Sequence, residues 1–135
     1  MKTEIVLKNN IREIPRMEEF VNQAGTAAGV APERIDMLVL AVEEAMTNVI
    51  NYAYGDREGE IILTAERQGN ALVFEIKDQG KAFDPTQVEE PDVSLPAAER
   101  EPGGLGLFII RKLMDGVHYR REQDTNVLTL TKQIE

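Results

Sequence analysis

Residues 31–55 read APERIDMLVLAVEEAMTNVINYAYG, and their spacing predicts one long helix. Pro32 fixes a helical backbone angle in the first turn, and Glu33 places an acid where the helix dipole favours one. Gly55 is a natural stop after Tyr54. Ile35, Leu38, Val42, Ala45 and Val49 recur at helical spacing and mark a core face. Met37, Ala41, Glu44, Asn48 and Asn51 form a second face. That face mixes polar groups with small and apolar residues, which is unusual for a solvated stripe.

On either side of this helix the periodicity changes. Residues 3–7 read as a short strand, and 15–29 as a helix with Met17, Phe20, Val21 and Ala24 on one side. After the long helix, residues 60–66 and 71–77 read as strands joined at Gln68-Gly69-Asn70. Residues 85–102 contain four prolines and several acids with almost no periodicity, which predicts a long functional loop. Residues 105–115 read as a helix with Leu107, Ile110, Leu113 and Met114 apolar. Residues 117–122 and 126–132 are two closing strands with a turn at 123–125. Paired strands and segregated helices predict an α+β fold, a two-layer sandwich with a mixed, largely antiparallel sheet and helices on one face. The length of 135 residues predicts a single domain over 1–135.

Composition narrows the function. The apolar content of 42% suffices for a core. The chain has no cysteine and one histidine, which excludes disulfides, thiolate metal sites and multi-histidine centres. The net charge of -9 and the lack of a basic block argue against a nucleic-acid partner. No run approaches the roughly 18 apolar residues of a membrane helix, and the start MKTEIVLKNN lacks a signal-peptide core. The expectation is a cytoplasmic chain without membrane contact. An acidic protein that held a polyphosphate would compensate its charge locally, through backbone amides, a helix N-terminus or Mg²⁺.

Three motifs supply such parts. Glu44 and Asn48 lie four apart and project from one helix face. A carboxylate can orient or deprotonate a hydroxyl, and an amide oxygen suits Mg²⁺. The bland reading of the pair is a surface acid and a helix-internal amide. In EIKDQGKAFDP (75–85), Asp78 ends a strand and precedes Gly80. The carboxylate can accept a hydrogen bond from an exocyclic amine, and Gly80 lets backbone approach a flat ring. An ordinary strand-ending turn would use the same residues. In PGGLGLFIIRKLMDG (102–116), Gly103, Gly104, Leu105 and Gly106 precede an apolar helix, where N–H groups and the helix dipole favour anions. A plain loop hinge would look alike. No Lys-Ser or Lys-Thr follows, so this is not a Walker A loop, and no strand leads into it as in a dinucleotide-binding fingerprint. Arg100, the only basic residue between Ala82 and Gly103, can reach a terminal phosphate or stay solvated. His118 is expected to pack at a strand edge, and Tyr52 and Tyr54 to pack at the helix end.

Taken in order, these motifs resemble the Bergerat-fold, histidine-kinase-like ATPase superfamily, and more closely its anti-sigma factor serine/threonine kinases. EEAMTNVINYAYG is similar to that family's N box, DQGKAFDP to its first glycine box, PGGLGLFIIRKLMD to its second and NVLTLTK to its final strand. The resemblance implies ATP and Mg²⁺ as cofactors. It implies Glu44 as catalytic base, Asn48 as Mg²⁺ and ATP ligand, and Asp78 with Gly80 at the adenine. It implies Gly104 and Gly106, with Gly103 and Leu105 in the same turn, at the phosphates, a lid over about 84–102, and Asn126 near a polar adenine-holding position. Ala82 stands where many members have a second Gly. The implied partners are a sigma factor, an anti-anti-sigma (STAS-domain) protein as phosphorylated substrate, and a second copy in a homodimer. Two other readings stay open: a non-catalytic ATP-binding regulatory module, and a histidine-kinase-type catalytic domain.

Overall fold

Alternation along the strands decides which side of the sheet meets the helices. The computed structural model of the chain describes residues 2–54, 57–87 and 104–134. Its strands are β1 (Lys2–Lys8), β2 (Glu60–Gln68), β3 (Ala71–Asp78), β4 (Gly116–Glu122) and β5 (Thr125–Gln133), and its helices α1 (Ile14–Ala27), α2 (Pro32–Asn48) and α3 (Gly104–Leu113). The strands form one sheet in the order β1-β2-β3-β5-β4. Every pairing is antiparallel, so the expected mixed character reduces to a purely antiparallel sheet.

On β3, Leu72, Phe74, Ile76 and Asp78 alternate inward and are all buried. The register sets Phe74 between Ala65 and Leu130, and Ile76 between Leu63 and Leu128. Met17 and Val21 of α1, Ile35, Leu38, Val42 and Ala45 of α2, and Ile110 of α3 join these residues in one core. The core face expected for the long helix is therefore buried throughout. Helix α2 packs against both α1 and α3. The α1–α2 approach is close enough that a Cβ at Gly25 would lie 2.9 Å from Ile35 Cγ1. Burying this apolar area against the sheet is the main favourable term holding the layers together.

Local chemistry closes the elements. Gly29 follows α1 with φ +85°, the left-handed conformation that glycine adopts without penalty at a helix end. Both hairpins, β2–β3 and β4–β5, turn through two residues, as short antiparallel connections favour. Arg34 on α2 donates to the Ile134 and Gln133 carbonyls at 2.7 and 3.1 Å, tying the end of the last strand to the helix layer.

One departure from the expected long helix bears on function. The α-helix ends at Asn48, and Val49–Tyr54 continue as a π-helix. Periodicity over so few residues does not separate the two windings, because both keep the apolar positions facing inward. Such widened turns recur at functional sites. Phe74, fully buried on the central strand, is the test of the core. Phe74→Ala should destabilise the fold by about 3–5 kcal/mol, read as a lower midpoint in urea unfolding.

Candidate functional site

The second face of α2 carries the first part of the site. Asn48 is 7% exposed, and its amide is not among the fully buried unpaired groups, so what remains of its exposure lies at the amide end. One turn earlier, Glu44 is half-buried. Burial, and after it the neighbouring Glu43, pushes its carboxyl above the usual range. Of the other residues on this face, Ala41 is buried, and Met37 and Asn51 are exposed.

The second part lies where β3 meets β5. Asp78 and Asn126 are register partners, both 4% exposed. Asp78 Oδ1 accepts hydrogen bonds from Gly80 N–H and Asn126 Nδ2, each at 2.9 Å. Its Oδ2 takes none among the described residues. Asn126 Nδ2 also donates to the Lys81 carbonyl at 2.9 Å. The Asn126 Oδ1 accepts from Tyr119 O–H at 2.5 Å, Arg121 Nη1 at 3.0 Å and Phe83 N–H at 3.4 Å. Burial raises the Asp78 carboxyl above its ordinary range, against the hydrogen bonds from Asn126 and Gly80 and the charge of Arg121.

The π-helical turn joins the two parts. Its Ala53 carbonyl accepts from Lys81 N–H at 2.9 Å. Gly80 lies so close that an added Cβ would sit 2.5 Å from the Ala53 oxygen. Tyr54 O–H donates to the Glu60 carbonyl at 2.7 Å and accepts from Gln79 N–H at 2.8 Å. Tyr52 stacks on Phe83, with ring centroids 5.1 Å apart. The two tyrosines therefore pack, as expected, but Tyr54 also bridges a strand start to the Asp78 loop.

Asn48, Ala53, Asp78, Phe83, Tyr119 and Asn126 surround a cavity of about 20 Å³. That volume holds about one water, far below the hundreds of Å³ of a ligand pocket. A purine would enter only if the Phe83–Pro85 wall moved. A larger cleft of about 860 Å³ touches Tyr54, Asp78 and Gln79, but neither Glu44 nor Asn48 lines it. The smaller cavity is the better candidate, because it joins the buried Asp78 carboxylate to the Asn48 amide.

The remaining residues fall as follows. Gly104, Leu105 and Gly106 form the first turn of α3 rather than a turn leading into it. Ala82 is exposed in the loop after Asp78. Arg100, Gly103 and residues 88–102 of the expected lid lie outside the described residues. His118 is exposed on β4 instead of packed. Sequence reading missed Tyr119 and Arg121. The two-residue hairpin at 123–124 carried the signal, since it sets Arg121 opposite Asn126 and alternation then puts Tyr119 on the same face. Among the described residues no group of three or more His, Asp or Glu could hold a metal, and no helix is long and apolar enough to cross a membrane.

Comparison with known proteins fits this arrangement. The family model described as "Histidine kinase-like ATPase domain" matches residues 7–132. The chain is 32% identical over 134 residues to the serine-protein kinase RsbW of Bacillus cereus (strain AH820), covering 91% of this chain and 83% of that protein. The RsbW of Bacillus anthracis matches to the same extent. Among solved structures, the RsbU and RsbW domains of a Mycobacterium tuberculosis protein superpose with a TM-score of 0.68 at 17% identity, over 99% of this chain. The chain spans only 32% of that larger chain. The Acinetobacter baumannii histidine kinase AdeS superposes with a TM-score of 0.53 at 12% identity, over 97% of this chain and 68% of its own. At such identities the likeness is one of fold.

Two substitutions test the geometry. Gly80→Ala forces a Cβ against the Ala53 backbone carbonyl and should cost about 1–3 kcal/mol, measured by thermal unfolding. Asp78→Asn tests the buried carboxylate. A carboxyl whose folded pKa is raised binds its proton more readily in the folded chain. Its contribution is therefore most favourable at low pH and is lost as pH rises through the folded value. Asp78→Asn should melt at a higher temperature than the wild type at pH 7, and the gap should shrink as pH falls towards the ordinary 3.8.

Proposed function

The chain belongs to the histidine kinase-like ATPase domain family, and we propose that it is an ATP- and Mg²⁺-dependent protein serine/threonine kinase acting as an anti-sigma factor. The observation that carries this reading is the convergence of Asn48, Asp78 and Asn126 on one cavity, with Glu44 one turn away on the same helix. The similarity to RsbW kinases over most of both chains supports the reaction class.

The residues present fit the two cofactors. Asp78 is a buried carboxylate with one oxygen saturated and the other unpaired, a suitable acceptor for an adenine amine. Asn48 is largely buried and lines the cavity, and its amide oxygen is a suitable hard ligand for Mg²⁺. The metal, when bound, supplies charge neutralisation at the transferring phosphate.

The chain's own groups then divide the work. Asp78 holds the adenine edge, with Asn126 fixing the carboxylate and Gly80 and Ala82 beside the ring. Asn48 holds the metal. The N–H groups at the start of α3, around Gly103, Gly104, Leu105 and Gly106, favour phosphate oxygens. Arg100 and the rest of an 84–102 lid close over them. Glu44 accepts the proton of a serine or threonine hydroxyl on the protein substrate. Its raised carboxyl is a better base than a solvated glutamate. Catalysis rests on positioning and charge stabilisation, as phosphoryl transfer generally does.

On this reading residues 1–135 form one cytoplasmic ATP-binding domain that acts as a homodimer. The substrate is an anti-anti-sigma (STAS-domain) protein, whose phosphorylation releases it, and the regulated target is a sigma factor. A non-catalytic ATP-binding module would keep Asp78 and Asn48 without needing Glu44.

Glu44→Ala separates the two. It should lower phosphotransfer from labelled ATP to the cognate substrate by about 10²–10⁴-fold while ATP binding persists. ATP binding by the wild type without any transfer to the right partner would favour the module. Acid-labile phosphate on a histidine would instead point to histidine-kinase chemistry. Asn48→Ala should abolish the Mg²⁺ dependence of ATP binding, read by calorimetry with and without chelator.

A further inference from the structure

We propose that Tyr119 and Arg121 are positioning residues that lock the Asn126 amide in one orientation, and that this lock makes Asp78 a reader of adenine over guanine. The proposal rests on the nucleotide-binding reading of Asp78. It adds two residues on β4, of which Tyr119 also lines the cavity.

Asn126 can face its neighbours in only one way. Its Nδ2 donates to two acceptors, Asp78 Oδ1 and the Lys81 carbonyl, both at 2.9 Å. Its Oδ1 meets three donors, Tyr119 O–H at 2.5 Å, Arg121 Nη1 at 3.0 Å and Phe83 N–H at 3.4 Å. A flipped amide would set oxygen against the Asp78 carboxylate and the Lys81 carbonyl, and nitrogen against the N–H groups of Arg121 and Phe83. Asp78 and Asn126 are buried, though Arg121 itself is exposed, and mismatches at the buried pair are costly. Arg121, which can only donate, is the β4 side chain that selects this orientation, and the Tyr119 hydroxyl, which can donate or accept, holds the amide in place once it is set. Arg121 Nη1 also donates to the Gly80 carbonyl at 2.9 Å, so the same guanidinium pins the loop that carries Gly80.

The consequence reaches Asp78. With Asn126 Nδ2 aimed at it, Asp78 Oδ1 is saturated by donors, and the carboxylate stays an acceptor at its free Oδ2. An acceptor there matches the amine of adenine and opposes the carbonyl that guanine presents at the same edge. A protonated or reoriented carboxyl would lose that discrimination. The groups facing Asp78 limit what else could set its charge. They are Tyr54 from the π turn, and Tyr119 and Arg121 from β4, with Asp84 acting on Tyr119 from the following loop. Helix α2 presents Ala45 and Asn48, and the π turn Val49, none of which carries charge.

The test is direct nucleotide binding by calorimetry on the full chain, with ATP and GTP, from pH 5 to 8. In Tyr119→Phe, which removes only the O–H, ATP should bind about tenfold more weakly with GTP unchanged, so the preference falls by the same factor. The acid limb of ATP binding should move to higher pH, because Asp78 loses part of what keeps it ionised. A packing defect would weaken both nucleotides alike and leave the acid limb in place. Arg121→Gln should lower the ATP preference in the same direction, and that preference decides the matter if Tyr119→Phe does not fold, since the guanidinium charge itself lowers the Asp78 carboxyl and would move the acid limb either way. Unchanged preference and acid limb in a folded variant overturn the lock while leaving the kinase reading intact. Failure of the wild type to bind ATP overturns both.

Discussion

The hydrogen bond between Asn126 Nδ2 and Asp78 Oδ1 is the contact on which the site depends. It is a side-chain bond between register partners on adjacent central strands, so sheet pairing itself brings the two groups together. A buried carboxylate is tolerated only where such donors offset its lost hydration. Here Gly80 N–H and Asn126 share that task at one oxygen, and the carboxyl still sits above its ordinary range. The protein keeps a costly acceptor at the end of its central strand. Functional sites are where such costs are usually retained.

Around this bond the fold assembles a site from elements distant in sequence. Helix α2 delivers Glu44 and Asn48, and its π-helical continuation delivers Ala53, Tyr52 and Tyr54. Ala53 meets the Asp78 loop through Lys81 N–H and the bare Cα of Gly80. Tyr54 bridges the same loop to the start of β2. The end of the helix and the end of the central strand are thereby fixed to each other, and the helix face bearing Glu44 and Asn48 is held over the carboxylate end of the sheet. The cavity between them holds about one water. Binding of a base would therefore rearrange the wall formed by Phe83 and Pro85, a segment that Tyr52 stacking, Asn126 and the Asp84–Thr86 turn keep in place.

Much of this was legible in the amino-acid order. The core face of α2, the inward alternation of β3 and both hairpins follow from periodicity and turn chemistry, because burial of one face selects residues at fixed intervals. The order of the motifs pointed to one pocket and one family, and the family assignment holds along most of the chain. The expected mixed sheet became antiparallel throughout, since strand direction across the β3–β5 neighbour pair depends on where the chain returns after α3. His118 was expected to pack but is exposed, because it alternates with Val117 and Tyr119, which pack against the core, and so points to the sheet face away from the helices.

The sequence by itself determined which faces are apolar, where the chain turns and which residue types are available for chemistry, since these depend on neighbours within a few positions. Only the tertiary structure decided that Asn126 lies against Asp78, that Tyr119 and Arg121 orient it, and that α2 widens into a π turn to meet Gly80. Those outcomes depend on the register of strands 48 residues apart and on backbone approach measured in tenths of an ångström. Neither is encoded in local periodicity. Both are fixed when the helix layer closes on the sheet.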